Sequence, residues 1–253
     1  MAPRLRKFLF ETLYKNKYLY RFASSVPFAG QWRVWQRLVL SRLHGYDVLE
    51  LGSGLGDLLA DMSEAGYHCH AVEHSPQMVK ATRETIQRHK LDKKATVMQG
   101  SAQHLPFSNE SFDTVVCTFP SEYIYDPDTI AEVARVLRPG GRIIIVEGAN
   151  LLPIGFFQPF LVLIQTLVYG RASVYGSRKQ RNLDEEIARN RSAQSSKRYK
   201  TQNYQPGTRI TTEVISDAWF GQYIPLEYHG LNRRSERVRS RGWEVYITIG
   251  EKQ

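Results

Sequence analysis

Apolar and polar positions along this chain fall into two regimes. Between residues 46 and 147, short Val/Ile/Leu-rich runs alternate with segments of helical period. The runs at 46–51, 67–73, 95–100, 112–119 and 141–147 are bounded by polar residues and glycine, and they predict strands. The segments at 56–65, 76–90 and 127–137 place apolar residues one helical turn apart and predict helices. Ser75-Pro76 and Asp126-Pro127 open the second and third of these, each a capping side chain followed by proline at the first helical position. Strands and helices alternating in this way specify an α/β fold, a mostly parallel sheet with helices on both faces. Trp243–Gly250 alternates and predicts a last strand.

Outside that block the pattern changes. Leu5, Phe8, Leu9, Thr12 and Leu13 follow helical spacing and, after a break at Val26-Pro27-Phe28-Ala29-Gly30, a second helix is expected from Gln31 to Leu43. Leu151–Tyr169 holds 19 residues without a charge. A bilayer-crossing helix needs about 20 apolar residues, but Pro153, Gly155 and Pro159 count against one here. Core packing, a lid over a hydrophobic acceptor and contact with a membrane all remain open for this stretch.

Composition adds one useful contrast. The 253 residues are 42% hydrophobic, enough for one large α/β domain with additions. Residues 45–150 carry a net charge of −6, whereas residues 1–37 carry +7, 171–200 carry +6 and 230–253 carry +3. Basic additions around an acidic core suit solubility or an anionic partner, with a membrane surface ahead of nucleic acid. Cys69 and Cys117 fall in predicted strands and read as buried, reduced thiols, with no zinc spacing. His68 and His70 flank Cys69 without completing a metal site, so no metal is expected. The N-terminal residues lack the uninterrupted apolar region of a signal peptide, and a cytoplasmic protein is expected, peripheral at most to a membrane.

The chemistry centres on V-L-E-L-G-S-G-L-G-D, Val48–Asp57, with Glu73 ending the next strand 17 residues after Gly56. Strand, glycine turn and helix start form a site for a nucleoside-bearing ligand, because glycines admit close backbone approach and the helix N-terminus offers free N–H donors. A carboxylate ending the neighbouring strand can accept both ribose hydroxyls. A dinucleotide fingerprint would need glycine at position 57. Asp57 would repel a pyrophosphate but tolerate the ammonium and sulfonium of S-adenosylmethionine, which disfavours a nicotinamide-dependent oxidoreductase.

Val48–Asp57 resembles the first motif of the class I S-adenosylmethionine-dependent methyltransferases. Gly100–Phe107, Ser111–Phe119 and Val136–Glu147 resemble three later segments in order and spacing. The likeness spans roughly residues 45–150 and is nearest to the quinone-biosynthesis and small-molecule subgroup. It implies a Rossmann-like, doubly wound, seven-stranded, mostly parallel sheet with an antiparallel last strand, strand six lying at 222–229. It also implies S-adenosylmethionine contacts from Glu50, Gly52, Ser53, Gly54, Gly56 and Asp57, from Glu73 and His74, from Ser101 and Ala102, and from Thr118. Ser101 departs from the pattern, standing where the family usually has an adenine-binding aspartate.

On the acceptor side the candidates come after strand four, where open α/β sheets place their crevice: Pro120, Ser121, Glu122, Tyr123 and Tyr125. Glu122 and Tyr123 are the candidate catalytic residues, as base or orienter, needed only if the acceptor must lose a proton. His104 reads as structural, and nothing places His229 in the site. Thr118-Phe119-Pro120-Ser121 replaces the Asn/Asp-Pro-Pro-Tyr of amino-methyltransferases, and no Pro-Cys nucleophile is present. A small hydrophobic acceptor, such as a quinone precursor, lipid or isoprenoid, fits best. Methylation of nucleic acid, or a membrane-surface protein with an inert cofactor site, is the alternative. The expected organisation is a basic N-terminal helical cap at 1–43, a cofactor-binding core at 44–150, an insertion at 151–210 and the last strands at 211–253.

Overall fold

The computed structural model describes residues 30–151, 211–215, 223–240 and 243–253. The basic segment 1–29, most of Leu151–Tyr169 and the basic run after it lie outside the described residues.

Five strands, β1 (Asp47–Leu51), β2 (His68–Glu73), β3 (Ala95–Gln99), β4 (Phe112–Thr118) and β5 (Leu137–Leu151), are joined by helices α2 (Asp57–Glu64), α3 (Pro76–Arg88) and α4 (Pro127–Val136). Ahead of them stands the short helix α1 (Trp32–Gln36), and after them come β6 (Thr211–Ile215), β7 (Leu231–Ser240) and β8 (Trp243–Lys252). The sheet order is β3-β2-β1-β4-β5-β8-β7-β6. The first five strands pair in parallel, β8 lies antiparallel against β5, and β7 and β6 follow antiparallel in turn. The helices start where the sequence signals them. Ser75 Oγ accepts from the Met78 N–H, and Asp126 Oδ1 accepts from the Asp128 N–H, before prolines at the first helical positions.

Alternation divides the core between the two faces of the sheet. Val48, Cys69, Ala71, Val116 and Ile144 pack under α1, α2 and α3, while Leu49, Leu51, Val115, Cys117 and Ile143 pack against α4. Both cysteines are buried and free, and burial pushes each thiol up to about 12, so they behave as small apolar side chains.

Three expectations need correction. Among the described residues the sheet has eight strands rather than seven, because β6 adds an edge strand of five residues beside β7. Strand six does not lie at 222–229, where Glu227–His229 forms a 3-10 turn; it is β7, Leu231–Ser240. Its run L-N-R-R-S-E-R-V-R-S looks like a solvated segment, but the arginines are paired: Arg42 and Arg234 hold Glu236, and Arg239 holds Glu244. The helix expected from Gln31 to Leu43 is α-helical only as far as Gln36 and continues as a 3-10 turn over Arg37–Arg42.

Candidate functional site

The carboxyl ends of β1, β2 and β4 bring most of the expected cofactor residues together. Gly52, Gly54 and Gly56 all adopt left-handed backbone, at φ 78°, 55° and 77°. This conformation is one that only glycine takes without strain. A Cβ on Gly56 would stand 2.8 Å from the Thr82 methyl, so the first turn of α2 packs directly on α3. The loop is also fastened from α3 by side chains that the motifs did not single out. Thr82 Oγ1 donates to the Gly54 carbonyl at 3.1 Å and lies 3.0 Å from Ser53 Oγ, and Thr85 Oγ1 donates to the Leu55 carbonyl at 2.8 Å. Hydroxyls one helical turn apart, facing a glycine loop, are the signal that could have revealed them.

Glu73 is buried at the end of β2 and bridges two backbone donors. Its Oε2 accepts from the Gly54 N–H at 3.0 Å and its Oε1 from the Ser75 N–H at 2.9 Å. Each oxygen retains acceptor capacity beyond those bonds. Glu50 lies between Ala71 of β2 and Val116 of β4 on the face covered by α1. It is wholly buried, and its Oε2 has no hydrogen-bond partner among the described residues. Burial, reinforced by the negative charges of Glu73, Asp57 and Asp61, pushes its carboxyl up to about 8, although Arg33 opposes the shift. The carboxylates of Glu73 and Asp57, beside the buried Glu50 oxygen that has no partner among the described residues, fit a ligand carrying ammonium and sulfonium charge far better than one carrying phosphates.

The remaining cofactor candidates differ in how they are held. Ser101 Oγ bonds to Gln103 Oε1 within its own loop, while Gln103 Nε2 reaches Asp126 Oδ2 at 3.1 Å. Ala102 is half-buried beside it. His74 is exposed and uses its carbonyl to accept from Gln99. Thr118 Oγ1 accepts from Gln36 Nε2 of α1 at 3.4 Å.

Helix α1 is an addition to the site that motif reading could not place. Arg33 and Arg37 both grip Asp61 of α2, at 2.5 and 2.9 Å. Trp32 stacks on Phe119 with ring centroids 4.0 Å apart, and Trp35 lies edge-on between Phe119 and Trp243. Phe119 itself adopts a left-handed φ of 51°, a strained choice for an aromatic residue, at the turn where β4 ends.

Of the two catalytic candidates, Glu122 is exposed on the 3-10 turn Glu122–Tyr125. Tyr123 points back under the glycine loop: its hydroxyl donates to the Leu51 carbonyl at 3.2 Å and lies 2.9 Å from Cys117 Sγ. A Cβ on Gly52 would stand 3.2 Å from that hydroxyl. Tyr125 is half-exposed, and partial burial together with the charge of Glu147 raises its hydroxyl above the ordinary range. Glu147 occupies an irregularity in β5. Val146 pairs with Ile247 and Gly148 with Tyr246, so Glu147 is the extra residue of a β-bulge.

His68 faces Asp47 at 3.6 Å, and His70 bonds Thr96 at 2.8 Å and stacks edge-on with Phe107 and Phe112. His104 is exposed, and His229 closes the short 3-10 turn before β7. Among the described residues no group of side chains has metal-ligating geometry, and no helix is long and apolar enough to cross a membrane.

Comparison with known proteins agrees with this geometry. Residues 49–145 match the methyltransferase domain family. A demethylmenaquinone methyltransferase of Symbiobacterium thermophilum is 30% identical over 174 residues, which are 63% of this chain and 68% of the relative. Another, of Mycobacterium marinum, is 32% identical over 132 residues, 51% of this chain and 54% of the relative. The chain thus spans about two thirds of the first relative and about half of the second. A solved structure from Pyrococcus horikoshii OT3 superposes with a TM-score of 0.52 at 15% identity, covering 87% of this chain and 90% of that one, a likeness of fold. The glycine loop, the carboxylate that ends β2, the strand order and the matched relatives together make this chain a member of the class I S-adenosylmethionine-dependent methyltransferases.

Proposed function

We propose that this enzyme methylates a small, hydrophobic hydroxy-aromatic acceptor of the quinone-precursor kind. Two findings carry the reading: the methyltransferase-domain match over residues 49–145, which runs through the glycine loop and the turn after β4, and the likeness to relatives named demethylmenaquinone methyltransferases. The stacked, partly buried rings of Trp32 and Phe119 beside Thr118 support it, since a flat apolar ring packs well against such surfaces.

S-adenosylmethionine supplies an electrophilic methyl group on a sulfonium. The protein's part is to align the acceptor with it and exclude water. Gly52, Ser53, Gly54 and Gly56 would cradle the donor, Glu73 would take its ribose hydroxyls, Asp57 would favour its positive charge, and the buried Glu50 carboxyl would offer it an acceptor oxygen. His74, Ser101 and Ala102 would border the adenine, and Thr118 would lie toward the reacting end. Tyr123 acts as an orienter by fixing the glycine loop from below, and Glu122 borders the acceptor entrance.

We further propose that the acceptor is drawn from an anionic membrane surface, the +7 charge of residues 1–37 and the uncharged Leu151–Tyr169 providing attachment and cover. The organisation into cap, cofactor core, insertion and closing strands accords with that reading.

The test is transfer of labelled methyl from S-adenosylmethionine to a naphthohydroquinone bearing an isoprenoid tail. Label in the extracted quinone supports the acceptor class. Label only in RNA, or none, overturns it. Flotation with anionic vesicles at low salt tests the membrane arm, and protein left at the bottom of the gradient defeats it.

A further inference from the structure

Two backbone irregularities meet at the acceptor edge of the sheet. The bulge in β5 puts Glu147 one residue beyond the last β4–β5 pair, Thr118 with Val146. The adjoining Phe119 takes its left-handed φ of 51° and donates its N–H to the Val146 carbonyl at 2.7 Å. Bulges beside binding sites commonly re-aim one side chain, and strain of this kind persists where surrounding structure enforces it. The side chain re-aimed here is a half-buried carboxylate whose Oε1 is sealed from solvent.

Other acids near this edge have different roles. Glu50, Asp57 and Glu73 surround the glycine loop on the donor side. Glu213 and Glu244 are held by Arg237 and Arg239. Glu122 is exposed. The Glu147 charge reaches the Tyr125 hydroxyl of the 3-10 turn, Thr118 of β4 pairs with the preceding Val146, and Tyr246 of β8 pairs with the following Gly148. They form a partly desolvated setting, beside the strand end that faces the donor.

We propose that Glu147 is the general base for the acceptor, taking the proton of an aromatic hydroxyl. This rests on the hydroxy-aromatic reading above. The hydroxyl proton passes to the Glu147 carboxylate, and the electron pair left on oxygen makes the adjacent ring carbon nucleophilic. That carbon forms a bond to the methyl as the sulfur–methyl bond breaks and its electron pair returns to sulfur. The ring carbon then loses its own hydrogen as a proton, the aromatic hydroxyl is restored, and the net proton leaves from Glu147 to solvent. Tyr125 is the positioning residue, a half-exposed hydroxyl that feels the charge of the carboxylate.

The experiment uses the full chain and its Glu147→Gln and Glu147→Asp variants. With the naphthohydroquinone acceptor, Glu147→Gln is expected to lower kcat about 100-fold, the usual range for losing a general base, while Glu147→Asp recovers part of the rate. The affinity for S-adenosylhomocysteine, measured by calorimetry, should stay within twofold. Turnover-independent evidence comes from binding 1-naphthol and its methyl ether to the S-adenosylhomocysteine complex. Wild type should prefer the naphthol at least fivefold, and Glu147→Gln should bind both alike. A Gln variant keeping its kcat within threefold, or losing S-adenosylhomocysteine affinity in step with kcat, overturns the role of Glu147. A wild type that neither binds 1-naphthol nor methylates the hydroquinone overturns the acceptor class, and this assignment with it.

Discussion

The donor half of this enzyme and its acceptor half are built by different means. Around the glycine loop, the chemistry is local: Glu73 reaches Gly54 and Ser75, Thr82 reaches Gly54, and Thr85 reaches Leu55. The strands there are parallel, short and joined by helices. The half formed by β5, β8, β7 and β6 is antiparallel and tied by ion pairs between charged side chains, as in Arg42 to Glu236 and Arg237 to Glu213. The first construction holds backbone still for a ligand that presents the same groups every time. In the function we propose, the second bounds the acceptor with side chains rather than with backbone.

The contrast can be broken first at Gly56. Gly56→Val forces a branched side chain into left-handed backbone and against Thr82 at 2.8 Å. The two penalties together come to about 3–4 kcal/mol of stability, measured by urea unfolding. If the loss stays below 1 kcal/mol, the donor half is softer than its packing shows.

Glu73→Ala should next weaken S-adenosylmethionine binding by about 2–3 kcal/mol, the value of hydrogen bonds to a charged group. Calorimetry reads it directly, and unchanged affinity would detach the carboxylate from the donor site.

Arg42→Ala tests the other half. Its partner Glu236 is almost buried and keeps only the more exposed Arg234 at 3.3 Å, so about 2 kcal/mol of stability should be lost. Donor affinity should not change; a matching loss of affinity would show that the halves are not separate.

The last effect is a slope. Glu50 has its carboxyl raised from 4.5 to about 8 in the folded protein, so the native state holds a proton that the unfolded chain releases. Its contribution to stability is complete below pH 4.5 and declines as pH rises through about 8. The decline is at most about 1.4 kcal/mol per pH unit. Glu50→Gln should flatten the wild-type curve between pH 5 and pH 8. Superimposable curves would show that Glu50 is ionised in the fold.

The same contrast explains what was legible in the sequence. Gly52, Gly54, Gly56 and Glu73 announce themselves because backbone conformation and close approach demand particular residues at fixed short spacing. Ser75-Pro76 and Asp126-Pro127 mark helix starts for equally local reasons. β7 was hidden because its arginines read as solvated until Glu236 and Glu244 appear across the sheet. The bulge at Glu147 was hidden because it is a mismatch of register between β5 and β8, a property of two strands and of neither alone. Glu122 and Tyr123 were placed by their nearness to the end of β4. Their orientation is set by the 3-10 turn, which leaves Glu122 exposed and returns the Tyr123 hydroxyl to Leu51.

Helix α1 belongs to neither half. Arg33 holds Asp61 of the donor side, while Gln36 and Trp32 hold Thr118 and Phe119 at the boundary with the acceptor side. Anyone recombining this enzyme with a relative therefore cannot cut just before β1 and expect interchangeable parts. The transplanted block has to begin at about Gly30, and a donor module carried without those few residues would arrive with Asp61 unneutralised and Phe119 uncovered.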